Sequence, residues 1–178
     1  MPIDRGCKGK PMLGYLITDG QGTADRLLAG VADTLAAEGW PLAGAVQINS
    51  DAGTGRPCDM DLNVLAARRI IRISQNLGKL AKGCRLDPDG LEQAVGLVAG
   101  ALSGPERPRL LIVNRFGKQE ADGRGFRPLI GQALAEGIPV LTSVGRANLP
   151  VFQSFAEGFA EELAPDLAAL LVWCQRNA

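Results

Sequence analysis

The stretch that decides the fold is the apolar run LLIV at residues 110–113, followed at once by NRFGKQE at residues 114–120. A buried strand that stops at a polar residue and opens a glycine loop carrying a lysine and a glutamate is typical of open α/β sheets. In such sheets ligands bind at the carboxyl ends of the strands. The loop continues as ADGRGFR at residues 121–127, and its glycines let the backbone approach a ligand closely. A charged surface loop is the alternative, but the density of glycine and of mixed charge favours a functional site.

Apolar runs and helical periodicities alternate along the rest of the chain. Strands are predicted at residues 13–18, 42–48, 60–65, 70–74, 110–113 and 139–144, and helices at residues 23–39, 88–103, 127–136, 149–163 and 166–174. Thr23 is the predicted N-cap of the first helix and Asp87 that of the second, where Pro88 suits the first helical position. Because strands alternate with helices, the sequence predicts an α/β fold, a three-layer sandwich with a mainly parallel sheet.

Length and composition exclude several classes of protein. A chain of 178 residues suits one domain, expected over residues 12–178 after a flexible basic tail at residues 1–11. Lys plus Arg and Asp plus Glu are 19 each and aromatics are only 4%, which argues against nucleic-acid binding. No segment has the length of a secretory leader core or of a membrane span, so a cytoplasmic location without membrane insertion is expected.

The supply of metal ligands and nucleophiles is also limited. The chain has no histidine, and its cysteines at positions 7, 58, 84 and 174 form no C-x-x-C pair. A zinc site is therefore not expected, and catalysis by a Ser-His or Cys-His pair is excluded within this chain. The cysteines are expected to stay reduced.

The first candidate site is the turn between the first strand and the first helix. It reads Asp19, Gly20, Gln21, Gly22 and Thr23. A glycine turn that leads into a helix N-terminus points free backbone N–H groups at one spot, where phosphate or another oxyanion is attracted. The Walker pattern G-x-x-x-x-G-K-[ST] is incomplete, because the lysine and the hydroxyl that binds magnesium are missing at their expected positions. A plain tight turn is the alternative.

The second candidate is the loop after residues 110–113. Lys118, Arg124 and Arg127 could together hold an anion, since arginine makes bidentate contacts to oxyanions and lysine acts as a point charge. Glu120 is the candidate catalytic residue, positioning water or a metal ion. The alternative for Glu120 is an ion pair with Arg124.

A third group comes from Gln75 and Asn76 together with Cys84 and Arg85, which could line the same cleft. A buried, inert side chain is favoured for Cys84, although a reactive thiolate beside Arg85 is the alternative. Asp87, which follows, is assigned to helix capping. Two carboxylates at positions 59 and 61 share a strand face and could bind a cation, but a solvated strand edge is favoured.

The order of these motifs resembles the DUF2478 family of bacterial proteins, across about residues 12–163. The resemblance is carried by DG at residues 19–20, GAVQ at 44–47, QNLG at 75–78, GCRLDP at 83–88, LIVNRFGKQE at 111–120 and GRGFR at 123–127. Family members are similar to segments beside or fused to molybdate-type ABC transporter ATPases. The resemblance therefore implies a link to molybdate or tungstate, or to a nucleotide, and a transporter or molybdenum-enzyme component as partner. Oligomerisation is left open.

A more distant likeness is to the THEP1-type nucleoside-triphosphatases of the P-loop class, in which a strand ends in D-E-I-G-x-M-E. Asn114 stands at the position of the aspartate, while Gly117 and Glu120 match the glycine and the last glutamate. Three hypotheses follow: an oxyanion-binding protein on a degenerate P-loop scaffold, a nucleoside-triphosphatase or phosphotransferase, and a regulatory interaction module without a ligand. The first ranks highest, because the P-loop lysine and the aspartate are absent.

Overall fold

The computed structural model describes residues 12–20, 22–50, 59–75, 77–78 and 85–178, and within them a seven-stranded sheet is flanked by helices. The predicted tail at residues 1–11 lies outside the described residues. The strands are β1 Leu13–Thr18, β2 Leu42–Ser50, β3 Asp59–Val64, β4 Arg69–Arg72, β5 Leu110–Phe116, β6 Val140–Gly145 and β7 Ala160–Glu162. Their order is β4-β3-β2-β5-β6-β1-β7. All neighbours are parallel except β2 with β3 and β3 with β4, which confirms the mainly parallel sheet.

Helices cover both faces of the sheet. They are α1 Thr23–Ala37, α2 Pro88–Leu102, α3 Lys118–Ala121, α4 Arg127–Ala135, α5 Leu149–Ala156 and α6 Leu167–Asn177. Alternate side chains of β1 enter different cores, because successive residues of a strand point to opposite faces. Leu13 and Tyr15 pack with α2, α4 and α5, whereas Leu16 packs with α1 and α6. The three-layer sandwich is therefore confirmed, and its form is that of a P-loop NTPase-like protein.

The connections define where a ligand would bind in such a sheet. Helix α1, which follows β1, packs on one face, while α4 and α5, which follow β5 and β6, pack on the other. Neighbouring strands whose chains leave in opposite directions open a crevice at their carboxyl ends. In this sheet that topological position lies at the carboxyl ends of β1 and β6, next to that of β5.

Several predicted boundaries are wrong. The helix predicted at residues 149–163 ends at Ala156, because Glu157 at φ 47° and Gly158 at φ 78° turn the chain into β7. The N-cap of α1 is Gly22, at φ 76°, and Thr23 is the first helical residue. Strand β5 continues past residue 113 to the buried Phe116. The strands predicted at residues 60–65 and 70–74 correspond to β3 and β4, which pair antiparallel.

Candidate functional site

The turn after β1 places two glycines in the left-handed region of backbone conformation just before helix α1. Gly20 and Gly22 adopt φ angles of 81° and 76°, a region that favours glycine. The Gly20 N–H donates to Thr18 Oγ1 at 3.1 Å. Helix α1 begins at Thr23 and receives no side-chain cap, so the turn leads into a helix end whose first N–H groups need acceptors. Asp19 is exposed, and Gln21 lies outside the described residues.

A cation that the sequence analysis missed lies beside this turn. The Arg26 Nη2 group donates to Thr23 Oγ1 at 3.4 Å, and Nη1 lies 3.4 Å from the place that a Cβ on Gly22 would occupy. Arg26 forms no ion pair with any acidic side chain in the part of the chain that the structure describes. Side chains on a helix lean toward its N-terminus. Because Arg26 lies in the first turn of α1, this rule could have predicted from the sequence that its guanidinium lies over the glycine turn.

Beneath the turn, Asp25 joins the helix to two strands. Its buried carboxylate accepts from Asn114 Nδ2 at 2.8 Å and from Asn49 Nδ2 at 3.1 Å. The Arg115 guanidinium lies 3.6 Å from the same carboxylate and is half exposed. The negative charge of Asp25 is therefore compensated by groups within the protein, and each of its oxygens accepts a hydrogen bond from a side-chain amide.

Asn114 itself is held at both ends of its side chain. Its Oδ1 accepts the Gln47 backbone N–H at 2.7 Å, while its Nδ2 donates to Asp25. Its backbone carbonyl accepts from Ser143 Oγ at 2.5 Å. Asn114, a candidate ligand residue from its place after the strand, thus links β2, β5, β6 and α1, and both ends of its side-chain amide have partners within the protein.

Glu120 closes the loop between β5 and α4. Its two carboxylate oxygens accept the backbone N–H groups of Gly117 and Phe126, each at 3.0 Å. Burial raises the pKa of the Glu120 carboxyl above its ordinary value, although these backbone donors act in the opposite direction. Arg124 lies 3.6 Å from Asp122 rather than beside Glu120. Each oxygen keeps a second lone pair, but Glu120 is buried, so burial rather than a lack of acceptor sites separates it from water or a metal ion.

The remaining cations of the loop have different surroundings. Arg127 donates from Nη1 to the carbonyls of Glu120 and Ala121 at 3.2 and 3.4 Å, with its guanidinium over the Phe155 ring. Lys118 is exposed at the start of α3. Because β6 alone separates β5 from β1, the strand that leads to Lys118 lies about 10 Å from the strand that leads to the turn.

The structure does not bring the third candidate group to the turn. Gln75 donates from its backbone N–H to the Arg85 carbonyl at 2.6 Å and from Nε2 to the Leu86 carbonyl at 3.0 Å. These residues follow the edge strand β4, which is five strand positions from β1, or about 24 Å across the sheet. Asn76 and Cys84 lie outside the described residues.

The carboxylates around this third group have structural partners. The capping prediction for Asp87 is confirmed, because Oδ1 accepts the Asp89 N–H at 3.0 Å. Asp59 and Asp61 pair with Arg72 on the neighbouring strand, at 3.0 and 2.6 Å. Among the residues that the structure describes, no group of three or more cysteines and carboxylates is placed to hold a metal ion.

Cys174 is the one cysteine among the described residues, and we expect it to be inert. It is buried on α6, and burial raises the pKa of its thiol to about 12. Because the thiolate is the reactive form, native protein in which the cysteines at positions 7, 58 and 84 are replaced by serine should not react with a thiol reagent at pH 8. Unfolding in urea should restore the reaction. Rapid labelling of the native variant would contradict the placement of this side chain.

The sheet order and the glycine turn define an α/β protein with a P-loop NTPase-like sandwich. The chain belongs to the DUF2478 family, described as a protein of unknown function, whose model matches residues 13–173. This finding confirms the family resemblance predicted from the motifs. In the part of the chain that the structure describes, no helix has the length and apolar character to cross a bilayer.

The chain is also similar to a curated protein, the molybdenum import ATP-binding protein ModC 2 of Bradyrhizobium diazoefficiens. The two are 35% identical over 173 residues. The match covers 97% of this chain but only 19% of that relative, so the chain corresponds to a small part of the longer protein. No solved structure matches the chain.

Proposed function

We propose that this protein binds an oxyanion at the turn after β1, on a degenerate P-loop scaffold, and that it takes part in handling molybdate or tungstate. The observation that carries the proposal is the glycine turn with the Arg26 guanidinium folded back over it. The turn supplies a helix N-terminus without a side-chain cap, and Arg26 lies close to Gly22. Backbone N–H groups at a helix start together with a guanidinium are the groups that hold tetrahedral oxyanions.

The charges around the turn favour an anion. Asp25 and Arg115 neutralise each other within the protein. Arg26 and the exposed Lys118 remain as cations at the same edge of the sheet, and neither forms an ion pair within the described residues. Together these two cations outweigh the single exposed carboxylate of the turn, Asp19, so the net charge favours an anion such as molybdate, tungstate or sulfate. In this proposal Lys118 reaches toward the anion from the loop after β5, and Arg124 adds a positive charge at longer range.

The link to molybdenum rests on the relative. Its printed name assigns it to molybdenum import, and a 35% identical segment of that protein aligns with nearly the whole of this chain. We therefore propose that the partner of this chain is a component of a molybdate transporter or of a molybdenum enzyme. The proposal predicts preference for molybdate and tungstate over sulfate and phosphate.

A nucleoside-triphosphatase or phosphotransferase is the second candidate, favoured by the words "ATP-binding" in the name of the relative. Hydrolysis in P-loop enzymes relies on a P-loop lysine and on carboxylates that hold magnesium and orient water. In this chain residue 23 is threonine, Asn114 is bonded to Asp25, and both oxygens of Glu120 accept backbone N–H groups. These features support binding without hydrolysis.

The test is calorimetric titration with molybdate, tungstate, sulfate, phosphate, ATP and GTP, with and without magnesium. We expect molybdate or tungstate to bind, and Arg26→Ala to weaken that binding by about tenfold or more, because it removes a charge-assisted hydrogen bond. Arg69→Ala, on the distant edge strand β4, is the matched control and should bind as the unaltered protein does.

The other outcomes separate the hypotheses. Binding of a nucleotide but of no free oxyanion would favour the triphosphatase, and hydrolysis assays on Lys118→Ala and Glu120→Ala would follow. If no oxyanion and no nucleotide binds, the proposal fails and the interaction module remains.

A further inference from the structure

A cavity lies at the end of the sheet opposite the glycine turn, among the amino-terminal ends of the parallel strands. It has a volume of about 790 Å³ and is bounded by the last turns of α1 and α2, by the hairpin between β3 and β4, and by the segment before β5. We call it the Trp40 cleft, after the aromatic residue in its wall. It lies at the amino-terminal ends of β2 and β5, so it shares no lining residue with the turn after β1.

The walls of the Trp40 cleft are built to admit a compact apolar group. Ala32 and Ala36 face it from α1, and Gly39 and Gly100 line it without side chains. A Cβ added at either glycine would meet no atom within 4 Å, so the backbone is accessible there. Cavities of this size, with an aromatic wall and a few polar groups, are the usual form of small-molecule sites.

The charges of the Trp40 cleft favour a cation. Asp33 and Glu106 line it, both exposed, and neither forms an ion pair within the described residues. The last turns of α1 and α2 border it, and helix C-termini carry partial negative charge. Arg68 among the lining residues and Arg109, stacked on Trp40, offset the two carboxylates, so the negative excess at the cleft comes from the two helix ends.

The surroundings of Trp40 indicate that a cation is tolerated against its ring. The Arg109 guanidinium carbon lies 3.6 Å from the centroid of the Trp40 ring, a distance at which cation–π attraction is strong. Arg109 does not line the cleft, whereas Trp40 does. The indole thus contributes an apolar, electron-rich surface to a lining that also contains the Asp33 and Glu106 carboxylates.

We infer that the Trp40 cleft is a binding site for an organic cation, an amidinium, guanidinium or ammonium group on an apolar body. The apolar body would lie against Trp40 and the small residues of α1, and the cationic group would face Asp33 and Glu106. This inference does not rest on the proposed oxyanion site, because the two sites lie at opposite ends of the sheet.

The experiment uses three probes of one shape and different charge: benzamidine, benzamide and benzoate. Binding is followed by calorimetry and by the indole N–H resonance of Trp40, assigned with Trp40→Phe. We expect benzamidine to bind about tenfold more tightly than benzamide or benzoate and to shift the Trp40 resonance. Asp33→Asn combined with Glu106→Gln should weaken benzamidine binding by about tenfold.

The controls show whether a loss of benzamidine binding comes from the cleft itself rather than from unfolding or from a change at the oxyanion site. Asp89→Asn, at the far end of α2, should leave benzamidine binding unchanged, and the double variant should keep its unfolding midpoint and its affinity for molybdate. The inference is overturned if benzamidine does not bind, if the three probes bind equally, or if the double variant binds benzamidine like the unaltered protein.

Discussion

Gly125→Ala is expected to lower the free energy of unfolding by about 4 kcal/mol. Gly125 has φ +60°, and an added Cβ would press against the Glu120 carboxylate, with Cδ only 3.0 Å away. The strained backbone conformation costs about 1–2 kcal/mol. Displacing Glu120 also leaves the buried N–H of Phe126 and the N–H of Gly117 without their acceptor, at about 1–3 kcal/mol for each buried group. Urea unfolding followed by tryptophan fluorescence measures the loss.

Gly123→Ala is the matched control, because Gly123 lies in the same loop and its replacement brings the backbone strain but not the contact with Glu120. Gly123 has φ +86°, but a Cβ there would meet no atom within 4 Å. Its replacement should therefore cost only the backbone strain, about 1 kcal/mol. Equal losses in the two variants would mean that Glu120 does not hold the loop in the way described.

Asp25→Ala is expected to cost about 3 kcal/mol of unfolding free energy. The substitution leaves the buried Asn114 amide without its acceptor and removes the partner of Asn49 and of Arg115. Because the Arg115 side chain is 42% exposed, water takes up part of its lost interaction, and we expect less than the full cost of breaking a buried ion pair. Asp25→Asn keeps the shape of the side chain and one acceptor, so it should fall in between.

The control for this prediction lies on the same helix. Asp33 is exposed on α1 and forms no hydrogen bond or ion pair within the described residues, so Asp33→Ala should change the unfolding free energy by no more than about 0.5 kcal/mol. If Asp25→Ala proved as mild as Asp33→Ala, the cluster around Asp25 would carry little of the stability of this edge of the sheet.

The parts of the fold that the sequence could predict are those with local causes. Asp87 followed by proline marks the start of α2, and the structure has the side-chain cap there. The apolar run at residues 110–113 marks β5, and these four residues are fully buried in the centre of the sheet. Helix α1 follows from its apolar periodicity and from the glycine at position 39, which turns the chain with φ +81°.

The parts that escaped prediction depend on residues far apart in the chain. Strand β7 has only three residues, AEE, and forms because Ala160 pairs with Leu13 of β1. No pattern within three residues predicts such pairing, since tertiary contacts override local preference. The cluster under the turn is similar, because Asp25 and Asn114 are 89 positions apart. Asp25 reads in the sequence as an ordinary first-turn acid, and its partners are visible only in the folded chain.

The position of β1 has a consequence for the way the protein reaches its native state. Leu13 pairs with Val140 on one side and with Ala160 on the other, so the first strand among the described residues has both neighbours from the last third of the chain. While the chain is being synthesised from the N-terminus, β1 therefore waits with both hydrogen-bonding edges open. Pairings over such long separations form slowly, and unpaired strand edges promote aggregation. We expect yield in cells to depend on chaperones that shield residues 13–18 until β6 and β7 have left the ribosome.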